Sequence, residues 1–205
     1  MINFAWMKER DGLCRQMIRV GRLTSETRYD DALQAALKIA AACTANGITS
    51  AAVLWAVAVA WDHTQNLPKA LDAIFRAVHH DPIDSAINQS LEVILEKVRD
   101  RLLGEAWDEA AEGMYFRLVE EEITDDALRV AYAGHLLADG KHIEALRVAQ
   151  AVALLNPRCA MAWDVVEAAA EKLGDIALAM EAANSSAAAK VTTSAPKANM
   201  ASARA

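Results

Sequence analysis

The sequence is poor in the residues that build sheets and catalytic loops. Only 5% of its 205 residues are aromatic, and there are just eight Gly and four Pro. With almost no β-branched runs, this excludes a strand-rich fold, whose hairpins need frequent turn-formers. Cys14, Cys43 and Cys159 are odd in number and far apart, so they form no disulfide framework or paired zinc motif and read as small buried residues in a reducing compartment. Basic residues are outnumbered, 21 against 28, for a net charge of −7, which disfavours nucleic acid and anionic membranes as partners. The most apolar run, "AAVLWAVAVAW" (51–61), has eleven residues, too few to span a bilayer. The start, "MINFAWMKERDGLC", lacks the apolar centre of a signal peptide, so a cytoplasmic protein is expected.

Reactive motifs are missing too. The sequence has no Gly-rich phosphate loop, GxSxG, HExxH or CxxC, so no catalytic residue, no cofactor and no metal are expected. "HHDP" (79–82) offers two imidazoles and a carboxylate, but helix neighbours diverge by about 100°, and metal pairs sit at i and i+4. It reads as a helix C-terminus whose imidazoles meet the negative end of the dipole. His63 and His142 read as structural. The acidic run "LVEEEITDD" (118–126) reads as a solvated face, with Thr124 as an N-cap.

What is present is alanine at set intervals. Ala58, Ala70 and Pro82 follow one another at twelve residues, as do Ala133, Ala145 and Pro157, and the two series lie 75 apart. Gly140 and Ala145 recur 34 residues later as Gly174 and Ala179. With Ala32 and Ala110, five alanines are spaced 38, 40, 35 and 34 apart, and Tyr29, Leu67, Trp107, His142 and Ile176 stand three residues before them. A period of this length marks a stack of helix–turn–helix units. Small residues let paired helices approach, so Ala58 is expected to face Ala70, and Ala133 to face Ala145. Pro82 and Pro157 separate units, and Gly140 and Gly174 permit the turns. The reading is all-α, with ten helices at 2–21, 29–46, 49–64, 68–80, 84–103, 105–121, 124–138, 142–155, 159–172 and 175–188. A helical-repeat domain over 1–188 precedes an Ala/Ser/Lys-rich flexible tail over 189–205.

The pattern resembles the tetratricopeptide repeat (TPR) family over roughly residues 13–190. Units 51–84 and 126–159 match best, Trp163 holds the large residue near the start of the last unit, and the third unit carries extra residues, with Arg117 at a small position. The resemblance implies a right-handed superhelical solenoid of about five antiparallel helix pairs, whose first helices line a concave groove. The groove positions it implies are Trp55, Val59 and Asp62, then Gln89, Val93 and Glu96. In the fourth unit they are Val130, Gly134 and Leu137, and in the fifth Asp164, Ala168 and Glu171. The Lys, Asn and Arg set of chaperone-tail clamps is absent, while "AAVLWAVAVAW" is apolar all round, so Trp55 and Val59 read as either groove or core. The function expected is a non-catalytic adaptor or scaffold binding another protein, through a peptide or amphipathic helix. Alternatives are a chaperone for a secreted or assembly-prone substrate, or a self-assembling scaffold, hence a homo-oligomer.

Overall fold

The computed structural model describes residues 4–104 and 106–194, and among these every regular element is an α-helix. In chain order these are α1 (Phe4–Ser25), α2 (Tyr29–Ala45), α3 (Ala51–His63), α4 (Leu67–His80) and α5 (Ser85–Gly104), then α6 (Glu109–Glu120), α7 (Asp126–Ala138), α8 (His142–Leu155), α9 (Ala160–Leu173) and α10 (Ile176–Ser194). The architecture is the all-α one that the repeat predicts. The chain divides into two compact units, Met1–Arg101 and Leu102–Ala205. Among the described residues, no helix is long and apolar enough to cross a membrane.

The turns show why the helices pair. Thr27, Gly47, Gln65, Glu122, Gly140 and Gly174 all adopt left-handed backbone, with φ between 59° and 78°. The N–H of the next residue then donates to the carbonyl five residues back, as in Arg28 to Leu23, Lys141 to Leu136 and Asp175 to Ala170. This closure satisfies orphan carbonyls and reverses the chain within three residues or so. Gly140 and Gly174 supply the conformation at no steric cost, whereas Thr27, Gln65 and Glu122 hold it against their own Cβ.

Packing in the second unit gives the register of a helix pair. Val130 clusters with Val152 and Ala153, Ala133 with Ala149, and Leu136 with Ala145. As the number rises on α7 it falls on α8, so the two run antiparallel. This corrects the expected facing of Ala133 and Ala145. Each small residue meets a partner one turn further along, because an antiparallel pair does not bring equivalent positions together. Ala32, Ala58, Ala70, Ala133, Ala145 and Ala179 are all buried. Ala110 is not. It is exposed, while Ala111 is fully buried.

That one-residue slip has a local cause. The Asp108 carboxylate accepts the Ala111 N–H at 2.8 Å, capping α6 so that it begins at 109 rather than the expected 105. Trp107 lies ahead of the cap, its indole N–H donating to the Leu102 carbonyl at 3.0 Å. Asp125 likewise caps α7 through the Leu128 N–H, 2.9 Å, in the role expected of Thr124, whose hydroxyl instead accepts from Arg129 at 3.3 Å. α1 continues past the expected 21 because Leu23 is still core. α10 runs to Ser194 rather than 188, since Ser186 and Ala189 are buried and Lys190 bonds Asp164 at 2.8 Å. The remainder of the expected tail, 195–205, lies outside the described residues.

Candidate functional site

Trp55, Val59 and Asp62 recur at four and three residues, so they form one stripe along α3. Most of the rest of that helix is core: Val53, Leu54, Ala56, Val57, Ala58 and Ala60 are buried. Trp55 and Val59 are half-buried, and Asp62 is 8% exposed. Two polar bonds join the stripe to α5. The Trp55 indole N–H donates to Ser90 Oγ at 2.9 Å, and the Lys97 ammonium donates to both Asp62 oxygens at 2.7 Å. Each bond spans 35 residues, one repeat. Lys97, itself partly exposed, thus supplies the counter-charge to a carboxylate that the cleft leaves little open to water.

Between these bonds lies a cleft of about 400 Å³, lined by Trp55, Val59, Asp62, Gln89 and Val93 together with Lys97. Five of the six positions expected from these two repeats therefore line one cleft, and Glu96 does not. On the other flank of the stripe, Trp55 and Val59 also line an apolar slot of about 320 Å³ against Met17, Val20, Gly21 and Thr24 of α1. The two side chains are thus a ridge between an apolar slot and a partly charged one. Gln89 and Glu96 are exposed, and Val93 is 48% exposed.

The second unit treats its positions differently. Val130, expected in the groove, is 7% exposed and packs with Val152, Ala153 and Ala162, with Trp163 against that cluster. It is core, and this corrects its assignment. Leu137 packs beside Leu136, Ala145 and Ala169. Gly134 is half-buried, with open space where a Cβ would stand. Asp164 accepts the Ser186 hydroxyl at 2.5 Å and the Lys190 ammonium at 2.8 Å. Burial pushes its carboxyl pKa up, but the bonds from Lys190 and Ser186 outweigh this and hold it below the ordinary value. Ala168 is half-buried and Glu171 exposed.

The sequence reading missed a ring cluster in the second unit. Tyr115 stacks on Tyr132 at 4.4 Å, and Trp107 stacks on His135 at 5.2 Å. His135 Nε2 lies 3.2 Å from Glu112 Oε1. Burial raises the pKa of both tyrosines, assisted at Tyr132 by the Glu112 charge. The signal available was Trp107 itself, read only as a repeat position. The other titratable groups singled out stay apart. His79 and His80 are exposed at the end of α4, and His63 stacks on Tyr29 at 4.5 Å. Among the described residues no group of three His, Cys, Asp or Glu could hold a metal ion.

No family model and no curated protein matches the chain. Among solved structures, MamA AMB-1 is similar at 13% identity, over 91% of this chain and 94% of that one, with a TM-score of 0.46. A second MamA structure is similar at 13% identity, over 92% and 97%, with a TM-score of 0.46. YrrB, described as a TPR protein with an unusual peptide-binding site, is similar at 17% identity, over 86% and 85%, with a TM-score of 0.42.

Proposed function

We propose that this tetratricopeptide-like chain is a non-catalytic interaction scaffold whose first unit binds a segment of another protein along the Trp55–Val59 ridge. The observation that carries this reading is the convergence of Trp55, Val59, Asp62, Gln89 and Val93 on one cleft, with an apolar slot sharing the same ridge. A ridge of one indole and one isopropyl group between two slots suits a peptide or amphipathic helix that sets apolar side chains on both sides. The Asp62–Lys97 pair then sits at the end of the track, where it discriminates among charged flanks more than it adds affinity. The half-buried Trp55 is the natural anchor, since interface energy concentrates in large aromatic residues that partners desolvate fully.

The test uses the full chain and peptides selected from a displayed library. Trp55→Ala is expected to weaken binding by about 2 kcal/mol or more. Because part of the indole is core, Val93→Lys serves as the second variant. Val93 is 48% exposed, so its melting midpoint should hold while affinity falls. Full affinity in both variants would remove this ridge from the binding surface.

A further inference from the structure

We propose that the first unit has a second docking surface, the cleft between α2 and α4, and that it takes an amphipathic helix of a partner protein bearing acidic residues two helical turns apart. The cleft has a volume of about 720 Å³, against about 320 and 400 Å³ for the two beside the ridge. Its floor is the α3 face opposite to the ridge: Val53, Leu54 and Val57, at 6%, 9% and 7% exposed. Their neighbours Ala58, Ile74 and Phe75 are at 0%, 0% and 1%. The floor is therefore closed core, and the larger apolar side chains of the cleft with surface left to bury are the half-buried Leu37, Ile48 and Trp61.

The two walls differ in chemistry. The α2 wall offers Leu37, Ala40 and Thr44, uncharged and mostly small, which lets another helix approach closely. The α4 wall carries Lys69, Asp72 and Arg76. Lys69 Nζ stands 4.3 Å over the Trp61 ring, and the exposed Arg76–Asp72 pair is loose at 3.8 Å, so it contributes little by itself. Two cations and one carboxylate make this wall net positive in a chain whose net charge is −7. Lys69 and Arg76 are seven residues apart, about 10.5 Å along the helix. A partner helix laid alongside places its own residues seven apart at the same separation. Acidic groups there meet both cations, a basic group between them meets Asp72, and the apolar face packs on Leu37, Ile48 and Trp61 above the closed floor. Helix-in-groove recognition has this form, with apolar anchors for affinity and flanking charge for register.

The inference does not rest on the ridge reading, because the two surfaces lie on different faces of α3. The test pans a displayed library of amphipathic helical peptides against the full chain and measures affinity by fluorescence anisotropy. Selected peptides should carry Asp or Glu seven residues apart. The double variant K69E/R76E should lose about tenfold or more in affinity for them. Its melting midpoint should not change, since both side chains are exposed. Peptides with those acids changed to Lys should recover affinity on K69E/R76E. Equal affinity for both chains, or no acidic spacing among the selected peptides, would overturn the proposal. Self-association of the chain that K69E/R76E abolishes would overturn the choice of partner and assign the cleft to a second copy.

Discussion

α3 in the first unit and α7 in the second carry the same repeat register 75 residues apart, with Ala58 matching Ala133 and Trp55 matching Val130. The matched alanines share one fate, both fully buried. The matched larger residues do not, for Trp55 is half-buried on a cleft and Val130 is core. What differs is the third helix of each group. α9 brings Ala162, with Trp163 beside it, onto Val130. α5 meets α3 through polar bonds from Ser90 and Lys97 and leaves Val93 outward. Register decides which side of a helix faces its hairpin partner, and the next repeat decides whether the other side stays open.

The largest effect expected from this contrast is at Val130. Val130→Asp buries an unpaired charge and should cost about 4 kcal/mol or more, while Val93→Asp on the open face should stay within about 0.5 kcal/mol. Urea midpoints compare them, and equal losses would erase the distinction between the two units. Next in size is the α6 register. Ala111→Leu should destabilise by about 1–3 kcal/mol through overpacking, and its exposed neighbour Ala110→Leu should not. The reverse order would restore the register expected from the repeat. Smallest is a pair of matched turn residues, Gln65 and Gly140. Both have positive φ, and Gly140 has open space around it, so the effect is one of backbone conformation alone. Gly140→Ala should cost about 1 kcal/mol, and Gln65→Gly should be neutral or gain up to about 1 kcal/mol. Thermal melts that shift both variants the same way would break the match.

Most of the fold was legible because it follows from local rules. Alanines mark close approach, and Gly140, Gly174, Pro82 and Pro157 mark chain reversals, so nine of the ten helices begin within two residues of where the spacing places them. α6 was misplaced because Asp108 caps it from a position the period does not reveal. The site was half legible. Trp55, Val59, Asp62, Gln89 and Val93 follow from repeat position, and the structure brings them to one cleft. Ser90 and Lys97 were missed although each stands one repeat from its partner, because polar pairing between repeats leaves no trace in an apolar period. Val130 was misassigned for the complementary reason. Its covering residues lie on α8 and α9, and their closeness is a matter of packing that no spacing along α7 records.

Trp55 gives the account its most direct test. The chain has five tryptophans, and three indole N–H groups have known partners: Trp55 on Ser90, Trp107 on the Leu102 carbonyl and Trp163 on the Pro157 carbonyl. An ¹⁵N–¹H correlation spectrum resolves them individually, with Trp55→Phe identifying the relevant peak. The titrant should be a peptide selected on the K69E/R76E variant, which has lost the cations of the α2–α4 cleft. The account predicts a saturable shift of the Trp55 indole with Trp107 and Trp163 unmoved. A Trp55 peak that stays in place while Trp61, Trp107 or Trp163 shifts would contradict it.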